Sequence, residues 1–232
     1  MSVKSVASAL GLALLLGPAG LAQSSSSGRP SAVDLAGALQ AKYDRVRDFS
    51  ADFVHTYEGG VLRKKVSERG TVLVKKPGKM RWTYTAPEEK VFVSDGVKIY
   101  SYLPADRQVI VNSMPAADQA TMPVLFLAGK GSLVRDFRIE YAEATDLGSD
   151  RTALRLVPKR PEREYESIVL TVDRGSLQIR GLGTTDRQGG TSTFVFTNLK
   201  ENVGLADKQF AFEIPRGVDV ISGGRASETF VP

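Results

Sequence analysis

The residue types from which enzymes build active sites are scarce in this 232-residue chain, which has one histidine and no cysteine. Without thiols there is no disulfide, no thiolate zinc site, no cysteine nucleophile and no acylated cysteine anchor. A single imidazole also rules out a His-rich metal site. That histidine, His55, stands between Phe53 and Tyr57 in an alternating stretch. A histidine base needs a positioned nucleophile and an orienting acid, so the pattern predicts a hydrogen-bonded group in a sheet wall instead. Gly181-Leu182-Gly183-Thr184-Thr185-Asp186 begins like a dinucleotide fingerprint but lacks the third glycine and the following helix. In a strand, such glycines mark a bend. The carboxylate pairs Glu88-Glu89 and Glu162/Glu164 fall in charged, proline-containing loops, and no P-loop, HExxH or GxSxG sequence occurs. No catalytic residue, metal or cofactor is assigned, and the chain reads as a binding protein.

Large apolar side chains at strand spacing stand where an active site is missing. Met80, Trp82 and Tyr84 alternate with Arg81, Thr83 and Thr85, and Phe92, Tyr100 and Tyr102 follow closely. In a closed small barrel these side chains fill the interior. In an open one they line a groove for an apolar ligand, and Met suits acyl chains of varying shape because it is unbranched and adaptable. Composition alone does not choose between core and cavity.

The elements that must position these residues are legible from periodicity. Ser31 reads as a helix N-cap with Asp34 three residues on. Leu35, Leu39, Tyr43 and Val46 recur at helical spacing, predicting one amphipathic helix over 32–48. From Phe49 the period becomes two. Strands are expected from Phe49 to a Gly59-Gly60 turn, on to Lys75, and through Met80–Tyr84, Lys90–Ser94, Val97–Leu103 and Gln108–Asn112. Asp95-Gly96 is the strongest hairpin signal. Further strands are expected at 137–143, 152–158, 165–173, 177–185 and 191–198, about eleven in all, the mark of an antiparallel sandwich or barrel. Residues 115–135 break the series. A short helix starting near Pro123 is expected there, carrying Val124, Leu125, Phe126 and Leu127 and serving either as a plug in the core or as a lid.

Residues 1–22 have one charge, Lys4, then an apolar run broken by Gly17, Pro18 and Gly20 and ending Gly20-Leu21-Ala22. This is the form of a secretory signal peptide cleaved after Ala22, and Gln23 to Pro30 reads as a flexible leader. Residues 31–222 are expected to form a single domain, followed by a tail over 223–232. With 42% hydrophobic and 25% charged residues the chain has a globular composition, and 31 basic against 26 acidic residues give +5. Removing the leader peptide takes Lys4 and no acid, leaving 30 − 26 = +4. The basic residues are scattered, so nucleic acid is not an expected partner; anionic head groups or an acidic protein suit an exported chain better.

Residues 72–111, VLVKKPGKMRWTYTAPEEKVFVSDGVKIYSYLPADRQVIV, resemble the LolA family of periplasmic lipoprotein carriers. The shared marks are Lys76-Pro77, Met80-Arg81-Trp82, Pro87, Val93-Ser94-Asp95-Gly96 and Tyr102-Leu103-Pro104. The resemblance continues at Thr121-Met122-Pro123-Val124-Leu125-Phe126-Leu127 and at Phe210-Ala211-Phe212-Glu213-Ile214-Pro215-Arg216-Gly217-Val218. It implies a mainly β (α+β) fold: an incomplete antiparallel barrel of about eleven strands covered by helices that form a lid. It also implies a periplasmic monomer that shelters the acyl chains of lipoproteins, without a cofactor. The partners would be an inner-membrane lipoprotein-releasing ABC transporter and an outer-membrane lipoprotein receptor. By position, Met80, Trp82 and Phe92 would wall the acyl-binding cavity, and Val124, Leu125 and Leu127 would form the cavity face of the lid. Lys76 falls where the family usually has an Arg that latches the lid. Lys offers three donors on a flexible stem where Arg presents a planar fork. The alternatives on the same half-barrel are a periplasmic regulatory module and a carrier of another lipid such as a glycolipid. The receptor role is excluded, because it requires an acylated Cys.

Overall fold

A computed structural model describes residues 29–59, 64–114, 127, 129, 131–143, 147–162 and 165–222. The expected signal peptide, most of the leader, the lid residues Val124 and Leu125 and the tail lie outside the described residues. Helix α1 spans Ala32–Arg45, with the Ser31 hydroxyl accepting the Asp34 N–H at 3.1 Å as its N-cap. It ends three residues before the expected limit because Asp48 is taken by the sheet. That residue opens β1 opposite Lys75, and its carboxylate accepts the Gly204 and Leu205 N–H groups at 3.1–3.3 Å.

The strands are β1 (Asp48–Glu58), β2 (Lys65–Lys75), β3 (Lys79–Ala86), β4 (Lys90–Asp95), β5 (Lys98–Leu103) and β6 (Gln108–Ser113). After a one-turn helix α2 (Leu133–Asp136) come β7 (Phe137–Tyr141), β8 (Arg151–Pro158), β9 (Ser167–Asp173), β10 (Ile179–Thr185) and β11 (Thr191–Glu201). A 3-10 turn (Asp207–Phe210) and β12 (Asp219–Ser222) complete the order. All twelve join one sheet, β12-β6-β5-β4-β3-β2-β1-β11-β10-β9-β8-β7, whose two ends do not pair. The strands before residue 115 and after 136 therefore meet at β1 and β11, which are far apart in sequence but paired from Phe49↔Glu201 to Glu58↔Thr191 with one register shift between Ser50 and Asp52, and again at β6 and β12.

Every neighbouring pair is antiparallel except β12, which runs parallel to β6. This strand was not anticipated: four residues, all exposed, carry too little alternation to register as a strand. The Asp95-Gly96 hairpin forms as expected, with the Asp95 carboxylate accepting the Val97 and Lys98 N–H groups, both at 2.7 Å. The Gly-softened strand β10 carries a register shift against β9 between Ile179 and Gly181, the bend its glycines announced.

Alternation sorts the sheet into two faces. On the inner face one row runs Ala51–Val72–Trp82–Phe92–Ser101–Ile110, each residue paired with the next across adjoining strands. A second runs His55–Phe194–Leu182–Leu170–Leu154–Tyr141. Ala36, Leu39 and Tyr43 of α1 are buried in the same apolar cluster as these rows, so the helix covers the inner face. On the opposite face the C-terminal stretch lays Phe212 against Tyr100 and Tyr102, with centroids 5.3 and 5.9 Å apart.

Candidate functional site

The inner wall is built from aromatics placed by period-two spacing on four strands. The Phe53 ring meets Trp82 at 5.1 Å, Tyr84 at 4.8 Å and Phe194 at 5.8 Å, all edge-on, and Trp82 meets Phe194 at 5.2 Å. Edge-to-face contacts of this kind add to the area that the rings bury. Gly70 makes room for them: a Cβ there would lie 2.9 Å from the Phe53 ring and 2.0 Å from the Thr83 carbonyl oxygen. Met80, Trp82 and Phe92, expected in the wall, are all buried on this face.

His55 is a satisfied member of the same wall, as its setting predicts. Its ring stacks on Phe194 at 4.2 Å, Nδ1 lies 3.1 Å from the Glu68 carboxylate and Nε2 lies 2.9 Å from the Ser192 hydroxyl. Burial pulls the imidazole below its ordinary pKa despite Glu68, whose charge is shared with Lys90. Among the described residues no cluster of three or more His, Cys, Asp or Glu side chains is placed to hold a metal.

The cover over this wall is fastened at a few polar points. The buried Tyr43 hydroxyl of α1 donates to the Leu127 carbonyl at 2.7 Å, and Leu127 itself is buried. Lys76, just past β2, turns inward instead of pointing into solvent. Its ammonium donates to the Tyr43 carbonyl and sits 3.5 Å from the centroid of the Tyr43 ring. Its stem packs on Gly129, where a Cβ would come within 2.9 Å of Lys76 Cδ. Burial lowers the Lys76 pKa to about 8, against the opposing pull of Asp44 and Glu201. Lys42 pairs with Glu201 at 2.6 Å, and the Gln40 side chain accepts the Leu133 N–H at 3.0 Å, tying α1 to β11 and to α2.

Between cover and wall, Tyr43, Phe49, Leu127, Ile179, Phe196, Leu199 and Glu201 enclose a narrow cavity of about 10 Å³, roughly the space one water needs. At this point of the described residues the space left between cover and wall is too small for an acyl chain.

Of the residues singled out from sequence, the structure brings Met80, Trp82, Phe92 and Leu127 into one apolar cluster and sets Lys76 at its rim. Val124 and Leu125 lie outside the described residues. Sequence reasoning did not single out Tyr43, Phe194 and Phe196 as part of the site. Tyr43 carried a signal only as one of the apolar helix positions, and the two phenylalanines as alternate residues of a late strand whose partner was unknown.

Residues 44–213 match the family model described as outer membrane lipoprotein carrier protein LolA. The chain belongs to the LolA family. Relatives named outer-membrane lipoprotein carrier protein include one from Chromohalobacter salexigens, 34% identical over 80% of this chain and 86% of its own. Another, from Methylococcus capsulatus, is 30% identical over 78% of this chain and 85% of its own. An uncharacterized conserved protein from Thermus thermophilus shares the fold, with a TM-score of 0.52 at 11% identity, over 82% of this chain and 98% of that one. The LolA match takes in Lys76, Met80, Trp82, Phe92 and Leu127, and begins in the last turn of α1.

Proposed function

We propose that this LolA-family chain carries outer-membrane lipoproteins across the periplasm, holding their acyl chains between the aromatic inner wall and the cover formed by α1 and the segment around Leu127. The supporting observation is an apolar wall spanning the sheet, closed by a cover that is fastened through the Tyr43–Leu127 and Lys76–Tyr43 hydrogen bonds. Each buried methylene is worth about 0.8 kcal/mol, so a sixteen-carbon chain brings a gross gain of about 12 kcal/mol. A cavity of about 10 Å³ admits no such chain. In this reading the cover lifts and the aromatics part on loading, and that cost is subtracted from the gross gain. The same term drives unloading, because closure reburies the wall once the acyl chains leave. A carrier needs this balance: tight enough to keep acyl chains from water, and weak enough to surrender them.

In this reading Met80, Trp82 and Phe92 line the opened wall. Val124, Leu125 and Leu127 face the acyl chains from the lid, and Lys76 latches it through α1. The protein works as a monomer in the periplasm after cleavage near Ala22, loaded by an inner-membrane lipoprotein-releasing ABC transporter and unloaded by an outer-membrane lipoprotein receptor. The test is a release assay: the purified chain from Gln23 onward is added to spheroplasts of its own organism. Lipoproteins are expected in the supernatant as soluble one-to-one complexes with the carrier. Their retention on the membrane, with the added protein folded by circular dichroism, would overturn the proposal.

A further inference from the structure

Six buried side-chain nitrogen and oxygen atoms among the described residues find no hydrogen-bond partner in the protein, and five of them lie on the inner wall. They are Trp82 Nε1, Tyr84 Oη, Ser101 Oγ and both amide atoms of Asn112; the sixth, Arg81 Nη1, belongs to a residue of the opposite face. The register ties the wall residues together. Ser101 stands across from Phe92, which stands across from Trp82. Asn112 stands across from Ile99, one row along from Ser101 on the same face. Ser101 and Asn112 are 1% and 2% exposed and Trp82 is fully buried, so these atoms are closed off from solvent as well as from the protein. Ser94, in the Asn112 row, makes the contrast, for its hydroxyl donates to the Gly78 carbonyl at 2.7 Å. Burying a polar atom unpaired costs free energy, and native interiors hold few such atoms. An apolar wall built only to exclude water would carry Ala and Leu at 101 and 112.

Resting on the carrier reading above, we infer that Trp82, Ser101 and Asn112 form a polar strip within the acyl-binding wall that hydrogen-bonds the ester and amide groups joining acyl chains to the cargo. The donor and acceptor types fit that chemistry. An ester offers carbonyl acceptors and no donor, matching the Trp82 indole N–H, the Ser101 hydroxyl and the Asn112 NH₂. The amide of an N-acylated cysteine adds one N–H, which Asn112 Oδ1 accepts. The strip fixes the depth at which the acyl chains sit. It also selects acylglyceryl cargo over bare hydrocarbon, because a ligand without these groups leaves the wall atoms unpaired.

The test compares a diacylglyceryl-cysteinyl peptide with its dialkyl ether analogue of equal chain length, titrated into the mature protein by tryptophan fluorescence. The wild type is expected to prefer the ester by about three- to tenfold for each hydrogen bond made. Ser101→Ala and Asn112→Leu are expected to lower ester affinity by a similar factor while leaving ether affinity unchanged, which also shows the variants to be folded. Should Asn112→Leu fail to fold, Ser101→Ala and the wild-type preference still decide. Equal binding of both peptides by the wild type, unchanged in the variants, would overturn the polar strip and leave the carrier reading standing. Failure of the wild type to bind either peptide would overturn the carrier reading and this inference with it.

Discussion

Tyr43→Phe isolates the fastening of the cover. The substitution keeps the ring, its place in the apolar cluster and its contact with the Lys76 ammonium, and deletes only the hydroxyl that donates to the Leu127 carbonyl at 2.7 Å. Burial, reinforced by Glu201, holds that hydroxyl well above its ordinary pKa, so it remains a donor at every working pH. A net hydrogen bond of this kind is worth about 1 kcal/mol, and losing the donor to a buried acceptor brings the loss to about 1–2 kcal/mol. Water meets that carbonyl once the cover lifts, so the loss falls on the closed form. The open fraction then rises roughly 5- to 30-fold. Because apparent affinity scales with the binding-competent fraction while that fraction is small, the apparent Kd for a fluorescent acyl probe should fall by the same factor. Without lipid, thermal unfolding should shift down by about 2–8 °C. Equilibrium titration and stopped-flow loading read the first effect, and calorimetry the second. A lowered Tm with unchanged or weaker probe binding would refute the reasoning, since the hydroxyl would then support the fold without gating the interior.

Two other perturbations probe different parts of the same closure. Lys76 has a pKa of about 8 when closed, against 10.5 when free. The charge is carried in both forms below pH 8, where the cost of burying it is full, and only the open form keeps it between 8 and 10.5. Closure therefore strengthens as pH rises through that window, so acyl-probe affinity should be flat below pH 8 and decline above it. Lys76→Leu should abolish that decline; a Lys76→Leu profile matching wild type would remove the residue from the mechanism. Gly70→Ala should cost about 3 kcal/mol in urea denaturation, because its Cβ meets the rigid Thr83 carbonyl at 2.0 Å as well as the Phe53 ring. Wild-type stability would show that β2 and β3 do not approach that closely.

Much of this fold is written locally. Period-two alternation marks strands such as β3 and β9 because inner and outer positions face different solvents. Asp95-Gly96 places a hairpin through local φ and carboxylate bonding, and Ser31 starts α1 as a cap. The four residues of β12 had no such signal, since an exposed parallel edge strand lacks a buried face to alternate against. Type and spacing single out Met80, Trp82 and Tyr84 with Phe92, Tyr100 and Tyr102 nearby, and the LolA resemblance narrows the wall to Met80, Trp82 and Phe92. Neither shows that they share it with Phe53 and Phe194, or that Tyr100 and Tyr102 lie on the opposite face.

That sharing depends on β1 pairing with β11 across some 140 positions, and no local rule sets a register between segments so distant in sequence. Lys76 illustrates the same limit at the level of one side chain. Its sequence neighbours, Lys75 and Pro77, suggest a solvated turn; it is half-buried because α1 and Gly129 pack against it, and its lowered pKa follows from that packing. The unpaired atoms of Ser101 and Asn112 are likewise a property of the assembled wall. Sequence assigns these residues to strands by local sterics and polarity, but whether a polar atom finds a partner depends on what long-range packing brings within about 3 Å of it.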